Sequence, residues 1–201
     1  MTGPTVFIVD DDEAVRDSIA ELVISIGLSA ATFGSALEFL IGYDPHRAGC
    51  LVLDVRMAHM SGPALQEKLL AMGATTPIVF ISGHGDIPIA IKAIKAGAVD
   101  FVQKPYRDQQ LLDSINEALQ RDAAARATSK AHDDFAERLA TLTDRERQVM
   151  TLVVKGSSSK TVARSLGISY RTVEVHRGHI LEKLGVGTIP ELIHIANQRP
   201  D

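Results

Sequence analysis

The sequence predicts an α/β fold in its front half, a doubly wound five-stranded parallel sheet, followed by a helical linker and an all-α helix-turn-helix domain. Three observations predict it. Short apolar runs with no polar alternation recur along residues 1–105, each followed by an amphipathic stretch, as expected of strands covered on both faces by crossover helices. From Tyr106 to Lys155 there is neither Gly nor Pro, and the stretch is rich in Ala, Arg and Glu, all good helix formers. The charge also divides: residues 1–120 hold 8 Lys and Arg against 15 Asp and Glu, and residues 121–201 hold 13 against 10. An acidic part and a mildly basic part imply two domains with different partners. Five βα units of this kind make a flavodoxin-like sheet.

The elements follow in order. "TVFIV" (5–9) is the first strand, and a helix runs from about Glu13 to Ile26, where Gly27 stops it. "LSAATF" is a weaker second strand, placed near an edge, and a short helix starts at Ser35. "CLVLD" is the third strand; "PALQEKLLAM" is the third helix, with Pro63 in its first turn. "PIVFI" and "DIPIAIKAIKAG" are the fourth strand and helix, and "VDFVQ" the fifth strand. The helix after Pro105 should continue as a linker to about Leu139. Thr143 with Glu146 three residues on forms a capping-box pattern that opens a set of short helices. The domains are thus expected at 1–120 and 141–201, with the linker at 121–140.

Composition narrows the function. With 201 residues, 45% hydrophobic and a net charge of -4, the chain is expected to fold around one or two real cores. The single cysteine, Cys50, heads an apolar run and reads as a small buried hydrophobe. The N-terminus lacks the basic and apolar regions of a signal peptide, and no apolar run is long enough to span a bilayer. A cytoplasmic protein with no membrane partner is expected.

The chemistry should lie beyond the carboxyl ends of the strands. There the sequence places Asp10 and Asp11 after the first strand, Asp54 at the end of the third, Ser82 after the fourth, and Lys104 before Pro105 after the fifth. Gathered carboxylates repel and need a cation. Hard oxygen donors suit Mg2+, which keeps several waters and takes only one or two carboxylates. Lys104 adds a positive charge for an oxyanion and Ser82 a hydroxyl. Together they form a receptacle for a phosphoryl group, with Asp54 as the attacking group. Asp12 is left over and should sit solvated at a helix N-terminus, where the dipole favours an acid.

"VDDDEAVR", "LVLDVRM", "ISGHGD" and "FVQKP" together resemble the receiver domain of two-component response regulators, over roughly residues 4–120. The resemblance implies that Asp54 is the phosphoacceptor, that Asp10 and Asp11 are the acidic pair, and that Arg56 lends its backbone carbonyl to Mg2+. It places Ser82 at the switching hydroxyl position and Phe101 at the rotating aromatic position. It also implies a sensor histidine kinase as partner. The chain departs from the family pattern at Ala58-His59, where Pro-Gly or Pro-Asp is usual; losing the Pro should loosen the loop beside Asp54. His59 and His84 are expected to be exposed loop residues.

In the back half, "LGIS" splits two helices, with Gly167 as the turn and Ser169 as the next N-cap. Val162, Ala163, Leu166, Val173, Ile180 and Leu184 should face inward, and Arg171, Arg177 and Lys183 outward. "SSKTVARSLGISYRTVEVHR" followed by "EKLG" resembles the LuxR-type helix-turn-helix, over about 141–198, so that the whole chain resembles the FixJ branch of response regulators. The resemblance puts Glu174, Val175 and Gly178 at base-facing positions, with Thr172 as a further DNA-binding residue of the same helix; Lys160, Arg171 and Arg177 are candidate phosphate contacts. Gly178 is odd, because Gly within a helix costs about 1 kcal/mol relative to Ala. His176 and His179 show no spacing that spells a metal site.

Promoter DNA is thus an expected partner, and RNA polymerase a candidate one. One helix-turn-helix reads few bases, so a homodimer formed on phosphorylation is expected. A helical wheel of the fourth helix centres Ile87, Ala90 and Ile94 on the core. It leaves Ile91 at the margin, with Lys95 a turn later and Asp100 close by as the dimer face. Two alternatives remain. An Mg-dependent aspartyl-phosphate phosphohydrolase of haloacid dehalogenase type uses the same groups, but after the first strand rather than the third. A phosphorylation-independent DNA-binding dimer would have no need of the intact Asp10, Asp11, Asp54, Ser82 and Lys104. No enzyme activity beyond self-phosphorylation and autodephosphorylation is expected, and activation of transcription is the expected outcome.

Overall fold

The computed structural model describes residues 3–83 and 87–197. Five strands, β1 (Thr5–Val9), β2 (Ser29–Phe33), β3 (Gly49–Asp54), β4 (Ile78–Ser82) and β5 (Asp100–Gln103), form one parallel sheet in the order β2-β1-β3-β4-β5. Its crossover helices are α1 (Glu13–Ser25), α2 (Ala36–Gly42), α3 (Gly62–Ala71) and α4 (Ile87–Lys95), and α5 (Asp108–Ala140) follows β5. Four further helices come after it: α6 (Asp144–Val154), α7 (Ser159–Leu166), α8 (Tyr170–Leu184) and α9 (Ile189–Asn197). The chain divides into two compact units, Met1–Ala127 and Thr128–Asp201. The expected linker, 121–140, is helical throughout, as part of the 33-residue α5.

Period-two alternation sorts the first core into two layers. Val6, Ile8, Cys50, Val52, Val79 and Ile81 pack with Ile19 and Val23 of α1 and Leu111 and Ile115 of α5. Phe7, Val9, Leu51, Leu53 and Phe80 pack with Phe39 of α2, Leu65 of α3 and Ala93 of α4. Cys50 is fully buried, and burial first, then the nearby Asp122 carboxylate, pushes its thiol up to about 12. β2 lies at the sheet edge, with none of its residues fully buried. Asp12 is the N-cap of α1, accepting from the N–H groups of Ala14 and Val15.

The fourth helix is rotated from the expected wheel. Ile87 and Ile94 are 72% and 45% exposed, while Ala93 is buried and Ile89 partly so. The wheel is ambiguous because residues 87, 89, 90, 91, 93 and 94 are all apolar. Small Ala93 admits the neighbouring helix: Gln66 of α3 is buried and donates its Nε2 to the Ala93 carbonyl at 3.2 Å. Ile87, Ile91 and Ile94 turn outward, while Ile89 packs beside Ala93 against the core.

The second unit packs Leu142, Val149, Val153, Val162, Val173, Ile180, Leu184 and Leu192 around Phe135, near the end of α5. Thr143 and Glu146 form the expected capping box. Ser158 and Ser169 cap α7 and α8, and Gly167 closes α7 in the left-handed conformation. Lys183 lies at the surface as expected, but its tip is engaged. Its Nζ reaches the buried Glu146 carboxylate at 2.7 Å, because a charge brought inside by the capping box needs a counter-ion.

Candidate functional site

The carboxyl ends of β1, β3, β4 and β5 bring Asp10, Asp54, Ser82 and Lys104 together. Asp10 and Asp54 are buried, at 1% and 7% exposed, and Ser82 is buried beside them. Lys104 Nζ bridges the two carboxylates, at 2.8 Å from Asp10 Oδ2 and 2.8 Å from Asp54 Oδ1. The remaining carboxylate oxygens are held by backbone: Asp12 N–H donates to Asp10 Oδ1 at 2.9 Å and Arg56 N–H to Asp54 Oδ2 at 2.7 Å. Lys104 N–H donates to the Ser82 carbonyl at 2.6 Å, so β4 and β5 fix the lysine's base. The Lys104–Pro105 peptide is cis.

Burial raises the Asp54 carboxyl above the usual range, and the Lys104 hydrogen bond offsets this only in part. For Lys104, burial disfavours the ammonium, but the hydrogen bonds it donates to Asp10 and Asp54 more than reverse this, and its pKa is raised. The two directions agree. The lysine faces two carboxylates, whereas Asp54 shares one cation with a like-charged neighbour.

Asp11, the other expected acid, is exposed, and its Oδ2 accepts from Ala58 N–H at 3.1 Å. A proline at residue 58 has no N–H to give, so the departure seen in the sequence supplies this tie. His59 follows at φ 65°, a left-handed conformation uncommon for a residue with a Cβ. His84 lies outside the described residues. Among the described residues no three His, Cys, Asp or Glu side chains gather closely enough to hold a metal. The donor chemistry of Asp10, Asp11 and Asp54 still fits Mg2+. All are hard oxygens, and two buried carboxylates share a single ammonium, leaving negative charge for a divalent ion to balance.

Phe101 is partly buried, its ring 6.3 Å from that of Phe80. On α4, Ile91 is 52% exposed and continues the outward stripe of Ile87 and Ile94; Lys95 is exposed too. Asp100 is half-buried, and its Oδ2 accepts from Ser114 Oγ of α5 at 2.5 Å.

In the second unit, Lys160, Arg171, Glu174, Val175 and Gly178 are exposed. Thr172 is half-buried and supports the start of α8, its Oγ1 2.8 Å from Ser169 Oγ. Arg177 is braced inside the unit: Nη1 donates to Ser159 Oγ of α7 and, at 3.3 Å, to Glu174 Oε1. Sequence reasoning missed two groupings. One is the pairing of Asp122 and Arg126, visible only as an i, i+4 acid–base pair on a long helix. The other is Glu146 with Lys183, whose partners are 37 residues apart. Among the described residues, no helix is long and apolar enough to cross a membrane.

Comparison with known proteins places these features in context. The response regulator receiver domain model matches residues 6–116, and the model of bacterial regulatory proteins of the luxR family matches residues 140–196. Transcriptional regulatory protein TdiR of Thauera aromatica is 49% identical, over 94% of this chain and 84% of its own length. Transcriptional regulatory protein FixJ of Rhizobium meliloti is 42% identical, over 98% and 96%. Among solved structures, response regulator StyR aligns with a TM-score of 0.86 at 44% identity, over 98% of this chain and 99% of its own.

Proposed function

Because this chain belongs to the two-component response regulators that join a receiver domain to a LuxR-type DNA-binding domain, we propose that Asp54 takes a phosphoryl group from a sensor histidine kinase and that the modified protein dimerises on promoter DNA to activate transcription. The observation that carries this reading is the bridge of Lys104 Nζ across the buried Asp10 and Asp54. An Asp54 oxygen attacks phosphorus, the P–N bond to the kinase histidine breaks, and an acyl phosphate forms with the imidazole as leaving group. Lys104 then pairs with a phosphoryl oxygen, and the Ser82 hydroxyl donates to another. Receiver domains generally bind Mg2+ at this site. Here Asp10, Asp11, Asp54 and the Arg56 carbonyl would hold it, and it would neutralise charge on the phosphoryl oxygens.

The family is one of transcription regulators, not enzymes, which removes the phosphohydrolase alternative. The functional segments are the receiver at 1–120, the linker at 121–140 and the DNA-binding domain at 141–201. Glu174, Val175 and Gly178 face bases. Thr172 steadies the same helix, Lys160 and Arg171 meet phosphates, and Arg177 divides its donors between Ser159 and the backbone of the DNA. Ser82 and Phe101 read the phosphorylated state. The dimer forms through Ile91, with Lys95 and Asp100 at its rim; the exposed isoleucine stripe supports this more strongly than Asp100, whose carboxylate is already engaged by Ser114. The protein acts in the cytoplasm, with RNA polymerase as a further partner.

Radiolabelled acetyl phosphate with Mg2+ tests this. Wild type should label and shift to a dimer in gel filtration, and Asp54→Asn should do neither. Label retained by Asp54→Asn would remove the assignment.

A further inference from the structure

The end of the sheet opposite the phosphoryl site carries a second charged constellation. Asp122 and Arg126 lie one turn apart on α5, and Asp122 is 3% exposed. Arg126 Nε bonds both Asp122 oxygens, at 2.9 and 2.8 Å. The other nitrogens reach three successive carbonyls of the loop between α2 and β3: Nη1 to His46 at 2.9 Å, and Nη2 to Pro45 at 3.2 Å and Arg47 at 2.7 Å. Asp122 Oδ2 also accepts from Gly49 N–H, the first residue of β3, at 2.9 Å. Gly49 has φ 154°, and a Cβ there would stand 1.9 Å from the Thr5 carbonyl, so the loop closes tightly against β1. Arg47 ties the same loop to β1, with Nη2 on Thr5 Oγ1 at 3.1 Å and its guanidinium over the Phe7 ring.

This constellation sits where α5 leaves the packed receiver. From residue 123 to residue 134 every residue except Arg126 is exposed, so this stretch of helix has no apolar face to hold it, and an isolated helix of such length is marginal in water. Asp122 ties β3 directly and Arg126 ties β1 by way of the Arg47 loop; β3 ends at Asp54, and Asp10 directly follows β1.

We propose that Asp122 and Arg126 are positioning residues, a latch that fixes the start of the linker helix to the amino ends of β1 and β3 and thereby couples the state of the phosphoryl site to DNA binding. The coupling half of this rests on the phosphorylation-controlled function proposed above. A guanidinium suits the role because its planar fork serves one carboxylate and three carbonyls at once, which a lysine cannot do.

The test uses the full chain with Arg126→Ala and Arg126→Lys. Hydrogen–deuterium exchange is followed at residues 122–131. Binding is measured on a DNA duplex selected from a random pool with the wild-type chain, with and without acetyl phosphate. Arg126→Ala should speed exchange tenfold or more, with Arg126→Lys between it and wild type. Labelling of Asp54 should be unchanged, while the gain in DNA affinity on phosphorylation falls at least fivefold. Unchanged exchange would overturn the latch. Faster exchange with an undiminished gain would overturn the coupling. If wild-type binding ignores acetyl phosphate, the coupling falls together with the proposed function, and the exchange result still decides the latch.

Discussion

Gly178→Ala separates the stability of the DNA-binding unit from its function. Gly178 lies inside the 15-residue α8, and a Cβ built there meets no atom within 4 Å. Nothing inside the unit requires glycine, so Ala should recover the helix propensity lost, about 1 kcal/mol. That is roughly a fivefold smaller unfolded population, to be read as slower amide exchange at Ile180, which is buried on the same helix. The proposed binding face predicts the opposite sign for DNA. If α8 enters the groove with Glu174, Val175 and Gly178 inward, an added methyl costs affinity, about tenfold if it loses about 1.4 kcal/mol of contact. Slower exchange with weaker binding is the expected pair of results, measured on one protein by exchange and by titration with a selected duplex. Binding that improves along with stability would refute the placement of Gly178 against DNA. Faster exchange would refute the account of the helix itself.

Glu146→Gln should destabilise the second unit by about 2–3 kcal/mol at neutral pH, since it breaks a largely buried, charge-assisted set of bonds to Lys183 and Thr143. The Lys183 hydrogen bond, foremost, holds the Glu146 carboxyl down at about 2, below its ordinary 4.5. The stabilisation is thus fully present above about pH 4.5 and fades as pH falls toward 2; in urea titrations the gap between wild type and variant should narrow over that range, and a constant gap would contradict the ion pair. His59→Gly should stabilise the first unit by about 0.5–1 kcal/mol, the left-handed cost less the entropy of glycine. A lower urea midpoint with unchanged slope would mean that the His59 side chain is held by contacts worth more than its strain.

Much of this was legible in the sequence because the signals were local or repeated. Strands buried on both faces announce themselves as unbroken apolar runs, and Thr143, Ser169 and Gly167 are short-range punctuation that fixes helix ends by hydrogen bonds within a few residues. The site residues could be gathered without a structure because a parallel sheet puts every strand's carboxyl end on one edge. The fourth helix failed for the converse reason. Its apolar residues run nearly all round, so the wheel had no unique face, and the deciding contact, Gln66 to Ala93, comes from another element. The partners of Lys183 and Arg177 were hidden in a similar way. A basic residue on a helix reads as solvated unless its partner is known, and Glu146 and Ser159 lie 37 and 18 residues away. The tie of Asp11 to Ala58 needed two loops in space, although the missing proline marked its place.

The economy of charge at the phosphoryl site indicates how a switch would start. One ammonium serves two buried carboxylates, so it cannot move toward a phosphoryl oxygen on Asp54 without loosening its bond to Asp10. Among the described residues the Asp10 carboxylate would then keep the Asp12 N–H, a poor counterpart for a buried charge. A divalent cation held by Asp10 and Asp11 would supply the positive charge that Asp10 loses, so that Lys104 could turn to the phosphoryl oxygen. The lysine's backbone N–H is bonded to the Ser82 carbonyl, so a shift at Lys104 would reach β4 and Ser82 through the backbone. Lys104→Ala would remove the ammonium whose movement starts the shift, while keeping the backbone bond to Ser82. It should still accept label slowly at Asp54 where Mg2+ is present, yet fail to dimerise. A Lys104→Ala protein that labels and dimerises as wild type does would show that the signal leaves the site by another route.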